Sequence, residues 1–206
     1  VVNTDKQDLN KSKCPNKIQI GEKLTGGMGA GSKPDIGRKS AEESRAAIAK
    51  ILEGTDMVFI TAGMGGGTGT GASPVIAKAA REMGILTVAI VTSPLKIEGQ
   101  IRYKQAMAGI EELKGCVDSL LIINNDNIMA MGGRMTVDDA FSLADDVLAS
   151  AAKGIAEIIT IKSPRTNIDF ADVSKVMTNS GRTHMGVGRA KGEDRAETAA
   201  RNSLHS

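Results

Sequence analysis

Aromatic side chains are scarce in this sequence. They make up 2% of 206 residues, with no tryptophan, one tyrosine and three phenylalanines. Stacking platforms for single-stranded nucleic acid need several such rings, so the scarcity argues against that kind of binding. Excess charge is absent too, because 26 basic and 24 acidic side chains leave a net charge of +2. Neither nucleic acid nor an anionic membrane surface is therefore expected as a partner.

Cysteine is almost absent as well. Cys14 and Cys116 lie far apart and in no CxxC or Cys/His spacing. The sequence therefore predicts neither a disulfide framework nor a structural zinc site. The longest apolar run, 57–62, is too short to cross a bilayer, and no basic-then-apolar leader stands at the start. We therefore expect a cytoplasmic protein without direct membrane contact.

Short apolar runs alternate with helical patterns along the first two thirds of the chain. Strands are predicted at 57–62, 86–91 and 119–123, and helices at 34–52, 74–80 and 98–113. This alternation indicates an α/β fold, a Rossmann-like parallel sheet with right-handed crossovers.

A long helix is predicted next. Thr136 is a suitable N-cap with Asp139 three residues later, and apolar residues then recur in steps of three and four up to Ile158. Such a helix would be roughly 35 Å long and would cross the whole domain. After Pro164 a helix beginning near Asn167, a strand at 184–188 and a helix at 193–202 suggest the start of a second, α+β domain. The predicted division is therefore 1–135, 136–162 and 163–206.

The strongest motif is a glycine-rich loop that follows a predicted strand and opens into a predicted helix. It comprises Gly65, Gly66, Gly67, Thr68, Gly69, Thr70 and Gly71. Glycine lets backbone N–H groups approach a phosphate, and the helix start adds free N–H groups and a positive dipole end. The motif is not a Walker A loop, because Ala72 and Ser73 follow its last glycine where that loop needs Lys and Ser/Thr. It is not a dinucleotide-binding motif either, because the segment has no GxGxxG spacing. The motif thus predicts a phosphate site, and it weakens the alternative of a dinucleotide-binding oxidoreductase.

GGGTGTG after a strand resembles the signature of the tubulin/FtsZ superfamily. Other segments resemble FtsZ in family order: 3–5, 17–21, 29–31, 34–37, 41–44, 62–71, 125–126, 167–173 and 192–196. The resemblance covers essentially the whole chain. It implies a GTPase that binds GTP or GDP with Mg²⁺, assembles head to tail into protofilaments at the bacterial division site, and reaches membrane-tethering division proteins through a tail absent here.

The resemblance also implies nucleotide contacts outside the glycine loop. Ala30, Gly31 and Ser32 would contact the γ-phosphate; without the family they read equally well as a flexible loop. Glu98 and Arg102 would bind the ribose and a phosphate, although an i,i+4 pair of this kind is often a solvated ion pair. The contacts to the base would come from Asn125, Phe141 and Asp145.

At the base, Phe141 would stack on the purine, with core packing as the alternative interpretation. Asp145 would accept hydrogen bonds from guanine N1–H and N2–H₂, which adenine cannot offer.

Three residues after the long helix would carry catalysis by the same resemblance. Asn167, Asp169 and Asp172 would enter the nucleotide site of the next subunit and polarise the attacking water. Without the family, Asp169 reads as an N-cap and Asp172 as a first-turn acid.

Members of this family open with a strand, a phosphate-binding glycine loop and a helix, and this sequence starts after them. We therefore expect the chain as written to bind GTP weakly and to show little or no GTPase activity. A non-catalytic fragment that caps filaments is the alternative function.

Overall fold

The computed structural model describes residues 1–131, 136–161, 168–183 and 190–204. Within these ranges the strands form two sheets, and all of the strand pairs are parallel. β1 pairs with β2, and the larger sheet has the order β3-β4-β5-β6. The strands are β1 (Val2–Asn3), β2 (Ile18–Gln19), β3 (Met57–Gly63), β4 (Leu86–Ser93), β5 (Ser119–Asn124) and β6 (Gly181–Arg182). The predicted parallel α/β fold is confirmed.

Helices connect and cover these strands. They are α1 (Lys6–Lys11), α2 (Glu22–Thr25), α3 (Pro34–Glu43), α4 (Arg45–Leu52), α5 (Thr68–Glu82), α6 (Gln100–Lys114), α7 (Asn125–Met131), α8 (Val137–Thr160), α9 (Phe170–Met177) and α10 (Arg195–Leu204). A 3₁₀ turn, Lys96–Glu98, precedes α6. No helix within the described ranges combines the length and the hydropathy needed to cross a bilayer.

The core lies on both faces of β4, whose eight residues are all buried. Because successive side chains of a strand point to opposite faces, Ala89 and Val91 pack with the inner faces of α5 and α6. Val88 and Ile90 pack on the other face, in a cluster that includes residues of α8. β3 hydrogen-bonds only to β4 among the described strands, and its residues are mostly half-buried. β3 is thus an edge strand of the described sheet.

α8 crosses one face of the sheet. Its predicted N-cap is confirmed, since the Thr136 hydroxyl accepts a hydrogen bond from the Asp139 N–H at 3.1 Å. Hydrogen bonds from Thr136 also lower the pKa of the Asp139 carboxyl. With 24 residues the helix is about 36 Å long. Ala144 and Ala151 are buried against the sheet, as the periodicity predicts.

Two predicted helices have different bounds in the structure. The helix predicted at 34–52 is two helices, α3 and α4, separated at Ser44, whose hydroxyl accepts a hydrogen bond from the Gly21 N–H at 3.1 Å. The helix predicted at 98–113 begins only at Gln100, because Gly99 adopts φ of +100° after the 3₁₀ turn. Glu98 and Arg102 therefore do not share one continuous helix, and that premise was wrong.

The glycine-rich segment also differs from the prediction. α5 begins at Thr68 rather than near residue 74, so half of the segment is the first helical turn. Glycine is a poor helix former in isolation, and tertiary contacts described below explain its presence here. Near the end of the chain, α10 confirms the predicted last helix. The strand predicted at 184–188 lies outside the described residues, and the short β6 just before it was missed.

Candidate functional site

A cavity of about 210 Å³ opens at the carboxyl ends of β3 and β4. It is lined by Gly63, Met64, Thr92, Pro94, Glu98, Arg102, Asn125, Phe141, Ala144, Asp145 and Leu148. Five of these residues, from four separate segments, are ones that the sequence selected as nucleotide contacts. Ligands of open parallel sheets bind at this edge, outside the carboxyl ends of the strands. The fold therefore brings the predicted base and ribose contacts into one place.

The polar groups of this cavity are arranged to receive a ligand. Asn125 is 5% exposed, and its side-chain oxygen is buried without a hydrogen-bond partner. Such an acceptor costs about 1–3 kcal/mol unless a donor reaches it, which a ligand N–H group would do. Phe141 is 39% exposed, so core packing does not account for its ring. Asp145, one helical turn later, is exposed as well.

Glu98 and Arg102 form an ion pair in the wall of the cavity. Arg102 Nε lies 3.0 Å from Glu98 Oε2, and Glu98 Oε1 accepts a hydrogen bond from the Leu95 N–H at 2.8 Å. The Arg102 side chain is 50% exposed, so the pair contributes little to stability. Its geometry instead fixes two opposite charges at the entrance.

The glycine loop lies next to the cavity. Gly65, its first residue, packs on Arg102, which lines the cavity. A Cβ on Gly65 would lie 2.9 Å from the Arg102 carbonyl oxygen, and its φ is +102°. Gly67 packs on Lys33 and Ala30, and Gly69 packs on the carbonyl of Gly63. These glycines are required by contacts within the protein.

Gly66 and Gly71 have opposite surroundings. A Cβ on Gly71 would overlap the Pro34 carbonyl oxygen and lie 2.7 Å from the Arg38 N, both of α3. A Cβ on Gly66 would meet nothing within 4 Å. Gly66 is thus the glycine of the loop whose surroundings leave room for a ligand.

Both threonine hydroxyls of the loop bond within the protein. Thr70, 2% exposed, accepts a hydrogen bond from the Gly65 N–H at 2.8 Å. The hydroxyl of Thr68 lies 2.6 Å from that of the buried Thr4. The Thr70 hydroxyl thus holds Gly65 against the first turn of α5, and the Thr68 hydroxyl links that turn to the segment that follows β1.

Residues 30–32 lie beside this loop and lead into a second helix. Ala30 is buried against Gly67, while Gly31 and Ser32 adopt φ of +56° and +58°. α3 begins two residues after Ser32, at Pro34. The N-termini of α3 and α5 therefore lie side by side, and their free N–H groups and dipoles favour an anion such as a phosphate.

The predicted catalytic carboxylates lie elsewhere. Asp169 Oδ1 accepts a hydrogen bond from the Asp172 N–H at 2.9 Å, and Asp172 Oδ2 accepts one from the Asp169 N–H at 3.4 Å. They form a capping box at the start of α9, as the N-cap interpretation predicts. Both side chains are exposed. Asn167 lies outside the described residues.

α9 lies at the side of the sheet where the parallel strands begin, called here the amino edge of the sheet. Phe170, its first residue, lines a cavity with Ile85 and Leu86, where β4 begins. The nucleotide cavity lies where β4 ends, and eight residues of strand separate the two edges by about 26 Å. A nucleotide in the cavity and the carboxylates of the same chain are therefore too far apart to meet. In the described part of the chain, no three His, Cys, Asp or Glu side chains cluster as metal ligands.

The contrast between Gly71 and Gly66 gives a testable prediction. Gly71→Ala should destabilise the fold by about 1–3 kcal/mol because the methyl group overlaps the backbone of α3. Gly66→Ala, the matched control, should change stability by less than about 0.5 kcal/mol but weaken phosphate binding. Urea unfolding and nucleotide titration of both variants measure this. A stable Gly71→Ala protein would contradict the packing role.

The family model of the tubulin/FtsZ GTPase domain matches residues 1–133. The structure is also similar to that of an FtsZ dimer from M. jannaschii, at 46% identity and a TM-score of 0.94 over 100% of this chain and 60% of that one. CetZ2 from Haloferax volcanii, solved as a GTPγS-bound protofilament, is 22% identical with a TM-score of 0.78, over 95% of this chain and 58% of that one, which shows a shared fold. The chain spans about 60% of the FtsZ chain that it matches.

Proposed function

The chain belongs to the tubulin/FtsZ family of GTPases, and from that premise we propose that the intact protein binds GTP and hydrolyses it between subunits stacked head to tail. The observation that carries the proposal is the separation described above. The nucleotide cavity and the Asp169–Asp172 pair lie at opposite edges of one sheet.

The base and ribose occupy the cavity in this proposal. About 210 Å³ is less than the volume of a pocket that encloses a whole ligand, so it suits one part of a nucleotide. The ring of Phe141 stacks on the purine, and Asp145 accepts hydrogen bonds from its donors. The unpaired oxygen of Asn125 needs a donor as well. Guanine supplies N1–H and N2–H₂ donors where adenine has none, so these acceptors favour GTP.

The phosphates lie over the two helix N-termini. Gly66 and the loop at 30–32 present backbone N–H groups, while Arg102 supplies positive charge at the cavity entrance. Mg²⁺, when bound, neutralises negative charge on the phosphate oxygens. Because Mg²⁺ is commonly held by phosphates, waters and few carboxylates, a preformed cluster of acidic side chains is not required.

Hydrolysis then needs two copies of the protein. When one copy stacks on the next, the amino edge of the first sheet faces the carboxyl edge of the second. Asp169 and Asp172 of one subunit thereby reach the nucleotide of its neighbour, where a carboxylate orients water or accepts its proton. A head-to-tail contact of this kind extends into an open filament. The dimer and protofilament forms of the similar structures support such self-association.

Resemblance to FtsZ supports a place for this protein in the cytoplasm at the division site, with membrane-tethering division proteins as its partners.

A GTP titration combined with sedimentation tests the proposal on the intact protein. With Mg²⁺ present, GTP should bind at least about 100-fold more tightly than ATP, and GTP should drive the protein into a pelletable polymer. GTP turnover per subunit should rise with protein concentration, since each working site needs two copies. Equal affinity for ATP, or turnover per subunit that does not change with concentration, would contradict it.

A further inference from the structure

Three side chains form a polar cluster at the amino edge of the sheet, far from the nucleotide cavity. Asp118, 6% exposed, accepts a hydrogen bond through Oδ2 from the Thr87 N–H at 2.9 Å, and its Oδ1 lies 3.6 Å from Arg81 Nε. Arg81 Nη2 donates to Asn179 Oδ1 at 2.9 Å. The Asn179 N–H donates to Asp118 Oδ1 at 3.4 Å. We call Arg81, Asp118 and Asn179 the latch.

The latch ties α9 to the sheet at the end opposite to its carboxylates. Asn179 is the second residue after α9, and Arg81 is in the last turn of α5. Next to the latch, Ser119 donates to the Met177 carbonyl at 2.8 Å. The segment that leaves α9 is thus held by α5 and by the start of β5.

Apolar packing covers only part of the surface of α9. Val173 is buried and Phe170 and Met177 are half-buried on the core side. A cavity of about 450 Å³, however, lies beside this helix and is bounded by Phe170 and Ser174 of α9 and by all three latch residues. Where close packing is missing, directed hydrogen bonds determine orientation.

The latch also lies at one end of a rigid connection to the nucleotide loop. α5 has 15 residues and is about 22 Å long. Thr68 in its first turn belongs to the glycine loop, and Arg81 in its last turn holds Asn179. One helix therefore links the phosphate-binding loop of a subunit to the element that carries Asp169 and Asp172.

We propose that Arg81, Asp118 and Asn179 are positioning residues for hydrolysis, because they orient α9 so that its N-terminal carboxylates meet the nucleotide of the neighbouring subunit. The inference rests on the proposed function. A merely stabilising cluster would affect global unfolding, whereas a positioning cluster affects the order of α9 and the turnover number while nucleotide affinity is kept.

Asn179 allows a clean test because its φ is +53°. Asn179→Gly removes the side-chain acceptor for Arg81, and glycine adopts this backbone conformation without strain. Asn179→Asp keeps an acceptor next to Arg81 and also tolerates the left-handed region. Lys175→Ala, at an exposed position of α9, is the control for a change that leaves the latch intact.

The experiment compares these three variants of the intact protein by hydrogen exchange of the α9 amides, GTP titration and GTP turnover. In Asn179→Gly the α9 amides should exchange at least about 10-fold faster and kcat should fall about 10-fold, with GTP affinity within about twofold. Asn179→Asp should restore both quantities, and Lys175→Ala should match the wild type.

Unchanged exchange in Asn179→Gly would overturn the inference, as would faster exchange with normal kcat. A parallel loss of GTP affinity would also overturn it, because the latch would then act on the whole fold. If the wild type showed no GTP turnover, the proposed function would fail. Exchange would then still decide whether the latch orders α9: a difference between the Gly and Asp variants supports it, and no difference overturns it.

Discussion

Replacing Asp169 by Asn in the intact protein should reduce the GTP turnover number by about 10²–10⁴-fold, while GTP affinity stays within about twofold of the wild type. The physical reason is the removal of a carboxylate that orients or deprotonates water. Affinity is preserved because the residue caps α9 at the amino edge of the sheet, away from the nucleotide cavity of its own chain. Single-turnover hydrolysis and calorimetric titration measure the two quantities separately.

The choice of Asn separates chemistry from helix capping. Asp169 Oδ1 accepts the Asp172 N–H at 2.9 Å, and Asn is nearly as good an N-cap as Asp whereas Ala is not. Asp169→Ala therefore loses both the carboxylate and the cap, and Asp169→Asn loses only the charge. If Asp169→Asn hydrolysed GTP at the wild-type rate while Asp169→Ala did not, the residue would be a cap and the catalytic role would be wrong.

Asp145→Asn should lower GTP affinity by about 100-fold or more. The substitution removes the charged acceptor of two hydrogen bonds, each contributing about 1.5–3 kcal/mol. The amide NH₂ of Asn would also place a donor against the donors of guanine. The same variant should bind xanthosine triphosphate better than the wild type does, because xanthine has a carbonyl acceptor at C2. Competition titrations with both nucleotides measure the change.

Asp146→Asn is the matched control for this prediction. Asp146 is the next residue on α8, is exposed and does not line the cavity. It carries the same charge, so a general electrostatic effect would appear in both variants. Equal losses in the two variants, or normal GTP affinity in Asp145→Asn, would contradict the assigned base contact.

The sequence predicted the elements whose signals are local. Apolar, β-branched runs identified β3, β4 and β5, and three- and four-residue steps with a Thr136 N-cap identified α8. The resemblance to FtsZ, rather than a local pattern, selected Glu98 and Asp145 as contacts of one nucleotide, and in the structure they line one cavity.

What the sequence did not predict depends on contacts between distant segments. The segment GTGTG predicts a loop, because glycine disfavours helix. In the structure α5 nevertheless starts at Thr68, and Gly71 in its first turn packs so closely on α3 that only glycine fits there. At the break between α3 and α4, the Ser44 hydroxyl accepts a hydrogen bond from Gly21, which is 23 positions away. The latch joins residues 37 to 98 positions apart, and no local pattern marks Asp118 as its buried acceptor.

A mixing experiment tests the central claim, a catalytic site shared between subunits, most directly. One variant, Asp145→Asn, keeps its Asp169 carboxylate but holds GTP poorly. The other, Asp169→Asn, holds GTP but lacks the carboxylate. Each alone should hydrolyse GTP very slowly. Mixed in equal amounts, the two variants should assemble at random and form four kinds of junction in similar numbers. In about one junction in four, GTP bound to an Asp169→Asn subunit meets the intact Asp169 carboxylate of an Asp145→Asn neighbour, and hydrolysis should recover there. A mixture no more active than the separate variants would contradict a site shared between subunits.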